Sequence, residues 1–310
     1  MHKYVLKRLG LMAFTLFCII FIVFALLNFT PGDTARLILG PNALQQDLDL
    51  FNEKFGLNDP FLTRFFNYVI GIVTRFDFGS SYRSGEPVVS ELLHRTPITF
   101  NLAWASVVVS LILGVPLGIW AAVKRSTLVD HAVSIWAILI AAIPSFWLGM
   151  VMMIFFSVEL KILPVFGADT WRNYVLPVAC MGIPGSAGFI RLTRAVMLDT
   201  VHMEYIKTAR AKGCSENIVI WKHAFKNAML PIINGAGLYF SALLGGALIT
   251  EVLFAMNGIG TYTLNALRAK DVPIVLSSTV FLSFIFCVMV LIIDLIYAFV
   301  DPRIKAKFSS

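Results

Sequence analysis

Six stretches of this sequence, near 9–29, 98–123, 132–156, 174–197, 230–254 and 274–300, are each about 20 or more residues long and predominantly apolar. A helix rises about 1.5 Å per residue, so a run of about 20 residues crosses the roughly 30 Å of hydrocarbon in a bilayer. A soluble core has no use for runs of that length. Hydrocarbon offers no partner to a peptide group, so each run has to close its own hydrogen bonds as a helix. The expected fold class is an all-α polytopic membrane protein with six transmembrane helices. Composition agrees: 58% of the 310 residues are hydrophobic and 14% charged, against about 45–50% and about 25% in soluble chains.

The first run follows Lys3, Lys7 and Arg8, as the core of a secretory signal would. It is too long for one and has no small-x-small cleavage site, so it reads as a retained span. Orientation follows from the Lys and Arg that short cytoplasmic loops retain. With the N-terminus inside, fifteen of the 25 Lys and Arg are cytoplasmic, and only Lys161, Arg172, Arg268 and Lys270 occupy the two short outside loops. Both termini are therefore expected in the cytoplasm. The formal charge of +7 is thus a topology signal and a contact with membrane lipid, with no nucleic acid as partner. Cys18, Cys180, Cys214 and Cys287 show neither CxxC spacing nor a His cluster, which predicts no disulfide framework and no metal site.

The expected organisation is 1–29 for the cytoplasmic N-terminus and first span, 30–97 for an extracytoplasmic helical segment, 98–300 for a five-helix core, and 301–310 for a cytoplasmic tail. The 30–97 segment is punctuated by Pro31-Gly32, Gly40-Pro41 and Asn58-Asp59-Pro60 and has helical patterns at 43–55 and 61–74. It reads as a small cap without a core of its own, and as a docking surface for an extracytoplasmic solute-binding partner. The spans carry Pro116, Pro144, Pro177, Pro184 and Pro231, and Gly182, Gly185 and Gly188 crowd the fourth. Broken helices at membrane depth occur where protein or a water-filled path meets the freed backbone groups. Pro144, Ser145, Pro184, Ser186 and Ser241 are accordingly the expected lining of a translocation path.

Several chemistries are missing. No Gly-Lys pair occurs, so no phosphate-binding loop for ATP can be assigned, and neither His-Glu-x-x-His nor Gly-x-Ser-x-Gly is present. The chain reads as a transporter subunit and not an enzyme. An ion-coupled carrier working alone would show several ionisable groups within its spans; here Asp294 stands out, while Glu251, Arg191 and Arg194 read as interfacial.

The cytoplasmic segment 199–229, DTVHMEYIKTARAKGCSENIVIWKHAFKNAM, is long, basic and helical in pattern. A helix from about 202 to 212 would end at Gly213, and Ser215 would cap a second helix from about 216 to 226 that stops before Leu230-Pro231. The stretches EYIKTARAKG and KHAFKNAMLPII resemble the loop that marks permeases of bacterial ATP-binding cassette importers, in the dipeptide, oligopeptide and nickel subgroup. Lys207, Thr208 and Ala209 stand where the general pattern has Glu-Ala-Ala, six to four residues before Gly213. Pro31-Gly32-Asp33, Phe55-Gly56-Leu57, Asp77-Phe78-Gly79 and Asp301-Pro302-Arg303 are similar to the same subgroup, and 156–177 is most similar to dipeptide and glutathione permeases.

The resemblance implies a type I ABC importer permease fold in the bacterial cytoplasmic (inner) membrane. It implies a second homologous permease chain, two cytoplasmic ATPase subunits that use ATP, an extracytoplasmic binding protein and a peptide substrate, with no cofactor bound by this chain. Glu204, Lys207, Thr208, Ala209, Arg210, Ala211, Lys212 and Gly213 would form the element coupled to an ATPase subunit. A nickel or metal-chelate importer of the same subgroup is the alternative substrate class, and an ion-coupled secondary carrier the alternative of another kind.

Overall fold

The structure, a computed structural model, describes residues 2–29 and 32–300. Pro31, the Asp301-Pro302-Arg303 motif and the whole 301–310 tail lie outside the described residues. The first span is α1 (His2–Phe29), followed by α2 (Thr34–Leu39), α3 (Gln45–Lys54) and α4 (Phe61–Arg75). Helix α5 (Val88–Val123) begins ten residues before the expected span. Next come α6 (Leu128–Ala142) and α7 (Ser145–Met152), the latter passing into a π-helical stretch (Met153–Glu159). The long α8 (Trp171–Val201) leads to α9 (Glu204–Ala211) and α10 (Glu216–Ile218). A second π-helical stretch (Val219–Ala224) joins α10 to α11 (Phe225–Gly246), and α12 (Leu248–Leu253), α13 (Ile259–Ala269) and α14 (Val272–Val300) complete the order. Among the described residues five helices are long and apolar enough to cross a membrane, and six if α6 and α7 count as one bent span.

The third span, expected near 132–156 with Pro144 as a helix breaker, is sharply bent at that proline. Helices α6 and α7 meet at 89°, because Pro144 has no N–H to offer and drives both Ile143 and itself into extended backbone (ψ 120° and 131°). The carbonyl of Pro144 then accepts from Leu148 N at 3.1 Å and starts α7.

The chain divides into two compact units, Met1–Thr99 with Asn257–Val288, and Phe100–Met256 with Met289–Ser310. In the first unit the 30–97 segment packs into a core that it shares with α1 and the 257–288 return. Phe17, Phe21 and Phe24 recur at i, i+4 and i+7 on one face of α1, and all three rings meet Phe65 of α4 edge-on at 5.3–5.6 Å. Such pairs add about 0.5–1.5 kcal/mol beyond the area they bury. Phe78, Val88, Leu92, Ile259 and Phe281 close the same cluster, so the return from 257 to 288 belongs with the N-terminal segment.

Asp271 fixes the loop between α4 and α5 in that unit. Its carboxylate, 1% exposed, accepts from Ser81 Oγ at 2.5 Å and from the Tyr82 and Arg83 amides at 3.1 and 3.4 Å. Several donors on one carboxylate allow the charge to be buried without a cation. The Asp77-Phe78-Gly79 motif is the other half of the loop. Asp77 accepts from Gly79 N at 2.8 Å, Phe78 enters the core, and Ser277 Oγ donates to the Phe78 carbonyl at 2.5 Å.

The second unit is built on backbone-to-backbone packing against α8. A Cβ on Gly114 or Gly118 of α5 would lie 2.8 Å from the carbonyl oxygens of Ser186 and Ile190 respectively. This is a small-xxx-small seam, the device that lets membrane helices approach closely. In the glycine cluster of α8, a Cβ on Gly182 would lie 2.8 Å from Val109, and one on Gly185 would overlap the Tyr239 hydroxyl. Gly188 meets nothing and is exposed. Two of the three glycines are thus packing residues. An added methyl at the seam has no room, whereas at an open helix site alanine is preferred to glycine by about 1 kcal/mol. In detergent-purified chain, Gly118→Ala should destabilise by about 1–3 kcal/mol and lower the thermal midpoint, with Gly188→Ala neutral or stabilising. Equal midpoints for the two variants would refute the seam.

Candidate functional site

Helix α9 is a short knob held by its inner face and closed by its end. Ile206, fully buried, and Ala209, 7% exposed, sit at i and i+3 and pack with Ile119, Met197, Val219, Ala224 and Ala228. The helix starts at Glu204 and not at 202, since His202 ends α8 and Met203 is extended (ψ 148°). It stops in a Schellman motif: Cys214 N donates to Ala209 O at 3.3 Å and Gly213 N to Arg210 O at 2.9 Å, with Gly213 at φ +79°. No atom crowds a Cβ at Gly213, so the demand for glycine is the left-handed backbone, which costs other residues about 1–2 kcal/mol.

Ser215 occupies the N-cap position of α10, but its side chain makes no cap bond. The helical path does not stop before Leu230-Pro231, as the sequence suggested; it runs on through Pro231 as α11. Proline there costs one backbone bond, which a helix of this length absorbs.

Among the expected coupling residues, Glu204, Lys207, Thr208, Arg210, Ala211, Lys212 and Gly213 are exposed together on the knob. Ala209 faces its own chain. The charges are already matched: Lys207 Nζ lies 2.7 Å from Glu204 Oε1, and Arg210 reaches both oxygens of Glu216 at 2.8 and 3.2 Å. The second pair ties the two arms of the glycine corner. Being exposed, each contributes about 0–1 kcal/mol, so a partner's charges can exchange with them at little cost. Met203, Tyr205, Ile218 and Trp221 add an exposed apolar fringe.

Behind the knob lies an ion pair that sequence reading missed. Asp130, 6% exposed at its side chain, receives Arg194 Nε at 2.6 Å and Nη2 at 2.8 Å, and accepts the Ser126 amide at 3.0 Å. Arg194 is therefore a bidentate partner of α6, and Arg191 is exposed. Glu251 departs from the interfacial reading, since it is fully buried in α12. The available signal was an acid three residues after Thr127 at the start of an apolar run, the pattern of a helix N-terminus.

The five expected path residues are not alike. Pro144, exposed, and Ser145, half-buried, stand at the α6–α7 bend, and Pro184 is half-buried within α8. Ser186 and Ser241 are turned into the chain's own packing, 2% and 3% exposed. Their hydroxyls donate to Ile183 O at 2.6 Å and Gly237 O at 2.8 Å, within their own helices. Among the described residues no group of three or more His, Cys, Asp or Glu is placed to hold a metal ion.

Residues 114–306 match the family model described as binding-protein-dependent transport system inner membrane component, and residues 1–103 match the N-terminal model of the same membrane components. Glutathione transport system permease protein GsiC of Escherichia coli (strain K12) is 38% identical over 307 residues, 99% of this chain and 100% of the relative. The protein of the same name from Shigella boydii serotype 4 (strain Sb227) gives the same figures. Among solved structures, the native CY5 crystal form of the inward-facing MetNI methionine ABC transporter aligns with a TM-score of 0.53 at 17% identity, covering 71% of this chain and 98% of that one. At that identity the likeness concerns the fold.

Removing one partner of the Asp130–Arg194 pair leaves a desolvated charge. Asp130→Asn should cost about 1.5–3 kcal/mol, the range for hydrogen bonds to charged groups, and Arg194→Met in the same chain should recover part of that loss. Denaturation of the single and double variants checks the coupling, and strictly additive losses would show that the pair is not one unit.

Proposed function

The chain belongs to the family of binding-protein-dependent transport system inner membrane components, and from that premise we propose that it is the permease subunit through which an ATP-driven importer moves short peptides, glutathione among them, into the cytoplasm. The observation that carries the substrate is the end-to-end likeness to glutathione permeases. The working assembly is this chain, a second homologous permease chain, two cytoplasmic ATPase subunits and an extracytoplasmic binding protein. ATP is bound and spent by the ATPase subunits. Both termini face the cytoplasm, which the Lys and Arg distribution supports.

Helix α9 is the coupling element in this reading. A protrusion transmits displacement only if it deforms less than what it pushes against. The Ile206 and Ala209 anchor and the Schellman end at Gly213 supply that stiffness. Its exposed charges and apolar fringe give an ATPase cleft something to grip. Motion of the ATPase subunits would then pass from α9 into α8, and through Arg194 and Asp130 into α6. The peptide path lies between the two permease chains, and the α6–α7 bend at Pro144 and Ser145 is this chain's contribution to it.

The test is reconstitution of the co-purified complex in proteoliposomes with labelled glutathione and labelled dipeptide. ATP-dependent uptake of either is the expected result, and a solitary chain that transports without ATP would overturn the reading. Gly213→Trp, which cannot take φ +79° without strain, should leave the complex assembled. It should cut uptake and binding-protein-stimulated ATP hydrolysis by roughly tenfold or more, a barrier change of about 1.4 kcal/mol. Unchanged uptake would remove α9 from the coupling path.

A further inference from the structure

A cavity of about 530 Å³ opens in the first unit, between the end of α1, the α3–α4 turn, α4, the 78–82 loop and the start of α14. Its size falls within the roughly 300–1,000 Å³ of small-molecule sites, and neither the coupling knob nor the path residues use it. Its charges are what distinguish it. Arg64, half-buried, donates through Nη1 to Asn28 Oδ1 at 3.1 Å and lies 6.0 Å from the centre of the Phe24 ring. Among the described residues no carboxylate pairs with it. A guanidinium has five N–H donors in a planar fork that fits a carboxylate; here Asn28 and the Tyr82 hydroxyl take part of the fork.

The opposite sign is present as well. Asp59, at the α3–α4 turn, lines the same cavity and has no ion-pair partner among the described residues. Asp33, the other lining carboxylate, is spent on the Ala35 amide at 3.0 Å and on Arg36 at 3.4 Å. Tyr68 and Tyr82 supply hydroxyls that burial pushes above the ordinary phenol range, so both stay neutral at physiological pH. A cavity lined, among the described residues, by a cation and an anion that no opposite charge pairs, with neutral hydroxyls beside them, suits a molecule that carries both charges.

We propose that this cavity binds a short zwitterionic peptide, with its carboxylate on Arg64 and its ammonium on Asp59. The choice of a peptide over other zwitterions rests on the importer reading above; the charge complementarity does not. With the orientation expected from the loop charges the cavity is extracytoplasmic. It would hold peptide on the permease before passage, independently of the binding protein.

The test is equilibrium binding to the purified permease complex without binding protein, using trialanine, trialanine amide and N-acetyl trialanine as probes. Wild type should bind trialanine about tenfold more tightly than either blocked peptide, the loss expected for one charge-assisted contact. Arg64→Gln should abolish the preference for the free carboxylate while keeping that for the free amine, and Asp59→Asn should do the reverse. Where Arg64→Gln does not fold, Arg64→Lys should keep part of the carboxylate preference. Equal binding of the three probes, no trialanine binding at millimolar concentration, or unchanged preferences in both charge-removing variants would overturn the proposal. Uptake by the reconstituted importer is read separately. Selective binding without peptide uptake would leave the cavity assigned and refute the importer substrate; uptake without selective binding would do the opposite.

Discussion

Hydrocarbon cannot complete a hydrogen bond, and the helix breaks at Pro144 and Pro184 are arranged around that constraint. Pro144 breaks a span, and its own carbonyl at once begins the next helix. Pro184 lies inside α8, and the neighbouring turn is bound from outside: Tyr239 OH donates to Met181 O at 3.0 Å and Ser110 Oγ to Gly182 O at 2.8 Å. Those two bonds come from α11 and α5, so the weakened turn of α8 is also where three helices are stitched together. Gly185 is small because both donors come so close to it, and Gly182 because Val109 does. Proline, glycine and the two hydroxyls form one device. None of them would be stable at that depth without the others.

Two buried carboxylates show different answers to one cost. Asp271 is neutralised by hydrogen-bond donors from a loop, so it fixes chain path without calling for a cation. Asp130 is met by a guanidinium on another helix, and the pair fixes the relation of two long elements. Backbone amides define position closely but carry no side chain that could move away. A bidentate ion pair between helices keeps α6 and α8 together during displacement.

The spans were legible in the sequence because the requirement they satisfy is one-dimensional: a run is long and apolar or it is not. Gly213 was legible for a related reason, since a glycine after a helical pattern states a backbone angle that few other residues accept. What was not legible is what depends on distant partners. Asp130 and Arg194 are 64 residues apart, and neither says alone that it is paired. Gly182 and Gly185 stand out in the fourth span, but nothing near them in sequence says that Val109 and Tyr239 pack against them. The core of the N-terminal segment lay between these extremes. Phe17, Phe21 and Phe24 and, later, Phe61, Phe65 and Tyr68 repeat one helical spacing, a pattern the sequence contains and periodicity could have matched.

The coupling knob draws its mechanical properties from the same source. A helix of eight residues is too short to persist alone in water, so α9 is rigid only through what it borrows: an inner face from α5, α8, the 219–224 stretch and α11, and an end from Gly213. Its stiffness is therefore that of the second unit's packing, which rests on the glycine seam between α5 and α8. In the coupling role proposed above, a load on the exposed charges of α9 would be borne at Ile206 and Ala209, then by α8, and by α6 through Asp130. The close packing that suits these helices to lipid would then also be what carries force.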